Sequence, residues 1–530
     1  MKCVRRKTII RDRAFQIITI TLSWLSLGGN GLWAESPVSP IGEMPVIQSL
    51  PSASLEVAGR RSLTVEMNAA PTPEQVTMGL HRAVKFFRTE YGYRGAYPHQ
   101  ASADLSRRTG ESKMTRTQGW IENPGTPAVG MAYLSAYELT RDPVLLEAAI
   151  ETGQALVKTQ FVSGGWDSVI ELDPAARKKF AYRGDHPQSL RGRRNSSTLD
   201  DDKSQSTLRF LMALDFVLDF KNAEIHDAVQ IALDAFLKAQ YPNGAWPHSF
   251  SGPVDQSLPS ILKASFPESW PREHPRRNYE PYYTINDNGM HDVIQTMLLA
   301  NDIYGEERFL LSARRGGDFL ILAQMPAPQP AWAQQYDFQM QPAWARKFEP
   351  PAICGNESLG VLRILIELAT YTGEERYLQP VPPALAYLRS SLRPDGQLAR
   401  FYELKTNRPL YFTSDYKLTY DDNDVPTHYS FMMTPDLDRL EQSFSQAIAG
   451  LKKGEGRQRR PVILARSSRV KAVTVQAIIQ ALDGRGAWVE TGRLKNFTPP
   501  GATEPVIESR TFIRNLNILA QFLGRDQLKG

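Results

Sequence analysis

The chain has few cysteines and no long apolar segment, and these absences limit what it can be. Among 530 residues there are two cysteines, Cys3 and Cys354, and no CxxC pair, so a cysteine-rich zinc site is excluded. Cys3 lies within the predicted secretory signal, residues 1–34, so Cys354 would remain alone after export. A lone cysteine of this kind is typically a buried small hydrophobe, so we expect Cys354 in the core. The longest N-terminal apolar run, 15–27, is too short to span a bilayer comfortably.

The N-terminus is where the excess of positive charge lies. Residues 1–14 carry six basic side chains against the single Asp12, and the apolar run and two glycines follow, with a cleavage position after Ala34. This order predicts a secretory signal over residues 1–34, with a short membrane anchor as the alternative. Without it the formal net charge of +5 falls to near zero. We therefore expect a secreted or periplasmic protein, no nucleic-acid partner, and local rather than global binding of anions.

A helical repeat follows an irregular arm at residues 35–75, which is rich in Pro, Ser and small residues. Four segments each end one helix, turn at a polar stretch and begin another: 137–160, 214–240, 299–324 and 368–391. A turn with Gly, Trp or Pro follows each of them. Helical hairpins that recur in this way bury their apolar stripes against their neighbours. We expect an all-α fold, an α/α toroid with irregular connecting loops, over residues 76–445.

The tail, residues 446–530, is predicted to be a helical extension with helices near 469–482 and 508–523. A basic stretch, 452–460, joins it to the core and is interpreted as a solvated connector. Nothing in this tail indicates a second partner, and we expect a monomer.

Polar residues concentrate in the connections between repeats, which emerge at one end of a toroid. These connections are 195–204, 282–290, 344–358 and 399–409. Distant in sequence, they converge in space. The repeat therefore predicts a single functional site at that end of the ring.

Three adjacent carboxylates, Asp200, Asp201 and Asp202, precede one predicted helix. Carboxylates at a helix start interact favourably with its dipole, by about 0.3–1 kcal/mol each, and this suffices for one or two of them. Three repel one another and favour a hard cation with oxygen ligands, calcium or magnesium. Asp287, between two asparagines, stands at the equivalent place in the next repeat. Asn and Asp are also ordinary helix caps, so that motif alone leaves both interpretations open, and the spacing matches no EF-hand.

Arginine and histidine side chains in or near these connections are further candidates for the site. Arg346 and Arg400 lie beside aromatic residues, where arginine often stacks at the surface, yet arginine is also the side chain best suited to bind carboxylates. His248, His291 and His428 have no partner within a motif, and we expect each of them to be structural.

Five motifs, kept in order, resemble those of the pectate lyases of polysaccharide lyase family 10. They are TLDDDKS (198–204), AQYPNGAWPH (239–248), TINDNGM (284–290), RKFEPPAICGNES (346–358) and ARFYELKTNRPLY (399–411). The resemblance covers roughly residues 76–440. It implies an α/α toroid that cleaves pectate, α-1,4-linked galacturonan, by calcium-dependent β-elimination.

The resemblance also implies roles for individual residues. In that family calcium lies between carboxylates of the first and third motifs, which makes Asp200 and Asp287 metal ligands with Asp201 and Asp202 in support. An arginine of the fourth motif removes the C5 proton of the sugar, which makes Arg346 the catalytic base. The residues expected to bind substrate are Arg400, Arg408, Asn407, Lys203 and Trp246.

Departures from the family pattern bear on the substrate more than on the reaction. Asp201 replaces an asparagine, Lys203 replaces a small residue and can pair with that extra carboxylate, and Gly289 replaces an alanine. Residues 251–281 form a longer, proline-rich insertion with several basic side chains.

Three other classes of protein share some of these features. A glycoside hydrolase acting on uronates needs two carboxylates across the scissile bond, for which Glu357 and Asp202 are available but unpaired in sequence. A non-catalytic protein that binds acidic polysaccharides keeps the aromatic and calcium sites and does not need Arg346. A terpene-type enzyme is disfavoured, because LDDDKSQ lacks the DDxxD spacing.

Overall fold

The computed structural model describes residues 70–525, apart from residues 187, 260, 455–461, 463, 466 and 467. The predicted signal, nearly all of the predicted arm and most of the basic connector lie outside the described residues. Within the described residues, no helix combines the length and apolar character needed to cross a bilayer.

Twelve α-helices account for most of the regular structure in the described part of the chain. Their bounds are α1 Pro73–Phe86, α2 Thr126–Thr140, α3 Pro143–Lys158, α4 Lys203–Val217, α5 Ala223–Lys238, α6 Gly289–Tyr304, α7 Glu307–Leu322, α8 Gly355–Thr372, α9 Val381–Ser390, α10 Leu437–Lys452, α11 Ala472–Gln480 and α12 Ser509–Gly524. Local sequence sets several of these starts. Thr72 and Gln75 form a capping box before α1, and Asp142 and Asn222 cap α3 and α5.

The helices are arranged in two layers. The even-numbered helices pack side by side in the order α12, α2, α4, α6, α8, α10, and the odd-numbered helices pack outside them. The four predicted hairpins are the pairs α2–α3, α4–α5, α6–α7 and α8–α9. The prediction of an all-α fold, an α/α toroid, is therefore confirmed, and the even-numbered helices are called the inner ring below.

The tail contributes to the same ring. Its two predicted helices are α11 and α12, and α12 packs against both α1 and α2. Strand β17 (Glu504–Glu508) of the tail pairs antiparallel with β1 (Gln100–Ser102) near the start of the described chain, with Gln100 opposite Glu508. The domain boundaries drawn from the sequence stay a prediction.

A buried tryptophan recurs in the turns that follow α3, α5, α7 and α11, whereas the turn after α9 has none. The indole N–H of Trp166 donates to the carbonyl of Leu156 at 2.9 Å, and Trp246 donates to Phe236 at the same distance. Trp332 and Trp488 repeat the arrangement with the carbonyls of Leu320 and Ile478. A buried indole must satisfy its donor, and here it fastens the turn to the end of the preceding outer helix.

The connecting loops are more regular than expected. The sequence predicted irregular loops, but the loops form short antiparallel ribbons, in which the stretch before an inner helix pairs with the stretch after the following outer helix, as Thr198 does with Ser249 and Thr284 with Gln335. The strands are β1 Gln100–Ser102, β2 Arg108–Thr109, β3 Lys113–Met114, β4 Gln118–Trp120, β5 Val169–Glu171, β6 Ser197–Thr198, β7 Ser249–Phe250, β8 Tyr283–Thr284, β9 Gln335–Tyr336, β10 Ala352–Cys354, β11 Leu398–Ala399, β12 Phe401–Glu403, β13 Pro409–Phe412, β14 Leu418–Thr419, β15 Met432–Met433, β16 Glu490–Gly492 and β17 Glu504–Glu508.

These ribbons form small sheets at the ends of the inner helices. The largest have the strand orders β16-β17-β1-β2-β3 and β10-β12-β13-β14, and the remaining pairs are β4–β5, β6–β7, β8–β9 and β11–β15. β6 ends just before the Asp200 motif, β8 before the Asp287 motif, and β10 leads directly into α8. The ribbons therefore hold the motif-bearing turns against the starts of the inner helices.

Candidate active site

Two turns of matching geometry enter the inner helices α4 and α6. The first turn is 200–202 and the second turn is 286–288; each is a single 3-10 turn. In both turns the second and third residues are left-handed, with φ of 48° and 58° at Asp201 and Asp202 and of 45° and 62° at Asp287 and Asn288. Asp and Asn adopt this conformation at lower cost than other side chains. The residue types of the two motifs thus fit the backbone that they must adopt.

The two turns bring three carboxylates together. Asp200, Asp201 and Asp287 each offer an oxygen, and these oxygens all lie within 4.8 Å of one another. We call these three residues the acidic centre. Burial and the neighbouring Asp200 raise the pKa of Asp201 to about 7. Such crowding of partly buried carboxylates calls for positive charge.

Asp202 lies outside the acidic centre. Its carboxylate pairs with Arg209 of α4, and both residues line a cavity of about 270 Å³ between α2, α4 and α12. Burial raises the pKa of Asp202 to about 7, against the opposing charge of Arg209. The three adjacent aspartates of the sequence therefore point to two different places.

Lys203 and His248 supply positive charge and a hydrogen-bonding ring on the side of the first turn. The Lys203 ammonium group is buried, 3.0 Å from Asp201 and 3.5 Å from Asp200. It also lies 3.7 Å from the buried Glu122. The Nε2 atom of His248 is 3.5 Å from Asp200. The pairing of Lys203 with the additional carboxylate, considered from the sequence, is present.

Two arginines flank Asp287 on the side of the second turn. Arg346 donates to one carboxylate oxygen at 3.1 Å, and Arg400 donates to the other at 2.8 Å. Each arginine also has a carboxylate of its own. Glu349 lies 2.5 Å from Arg346, and Glu357 lies 2.8 Å from Arg400.

The surroundings of Arg346 favour its charged form in this arrangement. Burial alone would lower its pKa, but the charges of Glu349 and Asp287 outweigh burial and hold the pKa above its ordinary value. The side chain of Arg346 remains about a third exposed, whereas that of Arg400 is buried. Arg346 therefore has access to a ligand, and Arg400 lies beneath it.

Tyr429 supports both guanidinium groups. Its ring lies 4.3 Å from the guanidinium carbon of Arg400 and 5.9 Å from that of Arg346. Its hydroxyl donates to Glu349 at 3.1 Å. Tyr429 thus fixes the relative position of the two arginines from below.

The remaining residues predicted to bind substrate have different surroundings. Trp246 is fully buried in its turn, as described above. Asn407 accepts a hydrogen bond from Gln329 at 3.0 Å and donates to Ser391 at 2.9 Å, which fastens the β12–β13 hairpin. Arg408 is exposed, with its guanidinium 3.6 Å above the ring of Tyr420. Of these three, Arg408 is the one that the structure leaves open to solvent.

Several residues of the site were missed in the sequence analysis. Glu349 and Glu357 lie inside a quoted motif but were not assigned to the arginines, and Glu122 and Tyr429 lie outside every motif. His248 was expected to be structural, yet it contacts Asp200. By contrast Cys354 is buried, as expected. His291 contacts Asp292, and the ring of His428 packs against Phe348.

The acidic centre suits a divalent cation. It offers carboxylate oxygens from two turns, and Oδ1 of Asp200 is buried without a hydrogen bond among the described residues. Calcium and magnesium bind oxygen ligands of this kind. Lys203 shares two of the three carboxylates, so it would compete with such a cation or lie beside it.

Comparison with known proteins agrees with the motifs. A family model described as pectic acid lyase matches residues 160–397. No curated protein matches the chain.

Solved structures that resemble the chain include two of a family 10 polysaccharide lyase from Cellvibrio cellulosa. One, a mutant in complex with trigalacturonic acid, is 20% identical with a TM-score of 0.40, covering 62% of this chain and 98% of that chain. The other is 21% identical with a TM-score of 0.38, covering 56% of this chain and 91% of that chain. A D-mannose isomerase is 13% identical with a TM-score of 0.39, covering 87% of this chain and 99% of that chain.

Proposed function

We propose that the chain, which matches a family model described as pectic acid lyase over residues 160–397, is a pectate lyase that cleaves polygalacturonate by calcium-dependent β-elimination. The observation that carries the proposal is the meeting of Asp200, Asp201 and Asp287 with Arg346, which lies 3.1 Å from Asp287. A cation site beside a partly exposed guanidinium is the pairing that an anionic sugar requires. The carboxylate of a uronate bridges such a pair.

The acidic centre is the proposed calcium site. Asp200 and Asp287 are its main ligands, and Asp201 contributes through the oxygen that Lys203 leaves free. When bound, calcium neutralises the uronate carboxylate and stabilises the charge that develops as C5 loses its proton. Lys203 limits the repulsion between Asp200 and Asp201.

Arg346 is the proposed base for the C5 proton. It keeps its own proton while Glu349 and Asp287 pair with it, so its role as a base requires those pairs to weaken when substrate binds. Cationic neighbours and burial lower the pKa of an arginine. Arg400 and Tyr429 hold the position of Arg346, and water protonates the departing C4 oxygen. The polymer is divided into two fragments, one whose new end is a saturated sugar and one whose new end is an unsaturated sugar.

The decisive experiment combines an optical and a mass measurement. Purified protein is incubated with polygalacturonate, with calcium and with a chelator, while the ultraviolet absorbance of the unsaturated product is followed. We expect absorbance to rise with calcium and to stop with chelator. Product masses that are lower than those of hydrolysis products by one water identify elimination. Products with the full hydrolysis mass, formed even with chelator present, contradict the proposal and favour a hydrolase.

The alternative carboxylate pair for hydrolysis has little support. Glu357 is buried against Arg400, and Asp202 pairs with Arg209 in the cavity between the inner helices. A hydrolase needs both carboxylates to face one glycosidic bond. The non-catalytic alternative is tested by the same assay, since it predicts binding of polygalacturonate without any product.

A further inference from the structure

The insertion at residues 251–281 is fastened to both sides of the proposed site. Its His274 lies 2.9 Å from the carbonyl of Ala345, the neighbour of Arg346. Six residues later, the carbonyl of Glu280 accepts from the backbone N–H of His248, the residue beside Asp200. The segment 274–280, which we call the strap, therefore runs from the arginine side of the site to the aspartate side.

The part of the insertion that precedes the strap is held in place by hydrogen bonds and an ion pair. The indole N–H of Trp344 donates to the carbonyl of Pro271 at 2.8 Å. Arg272 pairs with Glu403 at 2.6 Å and stacks on Trp270. Lys405 donates to the carbonyl of Pro267 at 3.0 Å. The insertion is thus attached to the loops that carry Arg346 and Arg408, so the strap has a fixed place relative to the site.

Tyr279 brings the strap within electrostatic reach of the site. Its ring packs edge-on against His248, with ring centres 5.3 Å apart. Burial raises its pKa to about 12, and the charges of Arg346, Glu349 and Asp200 all act on it. Tyr279 remains partly exposed, so it presents an aromatic surface next to both halves of the centre.

Arg276 and Arg277 lie in the middle of the strap. Both are exposed, and neither has a hydrogen bond or ion pair with any described residue, whereas Arg272 of the same insertion is neutralised by Glu403. Arg276 is held in the left-handed region, with φ of 53°. Two adjacent exposed guanidinium groups beside the proposed site can pair with the carboxylates of a polyuronate, which carries one on every sugar.

We propose that the strap is an additional substrate-binding element, in which Arg276 and Arg277 bind carboxylates of the uronate residues next to the one at the acidic centre and Tyr279 packs against a sugar ring. This inference rests on the proposed function for the identity of the polymer. It assigns a role to the insertion, which departs from the family pattern. Arginine is well suited to this because its planar donors pair with carboxylates.

The test compares two double variants with the same change of charge. Arg276→Ala with Arg277→Ala removes the strap cations. Lys452→Ala with Lys453→Ala removes two exposed cations at the far end of α10, roughly 24 Å along that helix from its start beside the site loops. We expect the strap variant to raise KM for polygalacturonate about 5- to 30-fold with kcat within about twofold, because partly exposed pairs each contribute modestly. The control variant should keep the KM of the unchanged protein.

Salt and esterification sharpen the result. The KM difference should shrink at high salt, because exposed charges are screened, and on a highly methyl-esterified polymer, which lacks the carboxylates. An unchanged KM in the strap variant, or an equal rise in the control, overturns the proposal.

Direct binding separates this proposal from the proposed function. Retardation of each protein in gels containing polygalacturonate reports on the strap without any turnover. If the unchanged protein gives no product, the proposed function fails, and the strap is still decided by whether its variant migrates differently. If product forms and the strap variant is retarded like the unchanged protein, the strap proposal fails alone.

Discussion

The first turn, 200–202, and the second turn, 286–288, have the same backbone conformation but different neighbouring side chains. Both precede an inner helix, and both place their second and third residues in the left-handed region. The first is entirely acidic and faces the amine Lys203, while the second has one carboxylate, Asp287, between two guanidinium groups. The repeat therefore supplies position, and the side chains around each turn determine its chemistry.

The third residues of the two turns differ most. Asp202 pairs with Arg209 inside the ring. Asn288 lies against α8, where a side chain at Gly360 would collide with its amide oxygen. Neither residue belongs to the acidic centre, so the motif's third position serves packing and pairing in both repeats.

The largest effect is expected on the guanidinium side of the second turn. Arg346→Ala should lower kcat on polygalacturonate by about 10²–10⁴-fold, because it removes the proposed proton acceptor. Calcium should still raise the melting temperature of this variant, since the acidic centre is intact. Arg408→Ala, which alters an exposed arginine near the site, serves as the control and should change mainly KM. A kcat within about threefold of the unchanged enzyme contradicts the assignment of the base.

Asp287→Asn and Asp201→Asn compare the second residues of the two turns directly. Asp287→Asn should reduce kcat/KM about 100-fold and weaken calcium binding. Stability should fall by about 1–3 kcal/mol, because Glu349 and Glu357 still pair with Arg346 and Arg400. Asp201→Asn should weaken calcium binding about tenfold or less, because Lys203 already neutralises that residue. Calcium titrations of activity and of melting temperature measure both. Equal losses in the two variants refute the asymmetry between the turns.

Lys203→Met tests the cation of the first turn. With the ammonium group gone, Asp200 and Asp201 repel each other, so the protein should be less stable in chelator. Calcium should bind about tenfold more tightly, equivalent to about 1.4 kcal/mol, since its competitor is absent. The dependence of melting temperature on calcium concentration measures both quantities. Calcium binding that weakens in this variant indicates that Lys203 assists the site rather than competing with the cation.

Asp202→Asn is expected to have the smallest effect. It gives the first turn the third residue of the second turn, so calcium affinity should change less than about threefold. Stability should fall by about 1–3 kcal/mol, because Arg209 loses its charged partner. Melting curves and calcium titrations are again the measurements. A loss of calcium binding as large as that of Asp287→Asn restores Asp202 as a ligand, the role that the sequence resemblance implied.

The sequence predicted the fold and the centre of the site well for a physical reason. Hairpin periodicity reports helices and their order, and equivalent positions in successive repeats must meet at the same end of a ring, as Asp200 and Asp287 do. The sequence could not show that Asp200 and Asp201 belong to the acidic centre while Asp202 pairs with Arg209. That division depends on the left-handed φ of Asp201 and Asp202.

The sequence did not indicate the carboxylate partners of Arg346 and Arg400 either. Glu349 is three residues from Arg346, but Glu357 is 43 residues from Arg400, and only the packed ribbons decide which carboxylate faces which guanidinium. Trp246 is aromatic and lies within a motif, which suggested a sugar platform. Its indole instead closes a repeated turn, a role visible once four such tryptophans are compared in space.

The pairing of β1 with β17 has a consequence for how the molecule acquires its shape. Gln100 donates to Glu508 across 408 residues of chain. This contact can therefore stabilise the fold only after a very long loop has been closed. We expect the hairpins between them, which rely on local contacts, to assemble first. The flank of α2 that packs against α12 would then stay uncovered until synthesis reaches the tail. A chain shortened to the segment 160–397 would lack both β1 and β17, and we expect it to aggregate rather than to act as a smaller enzyme.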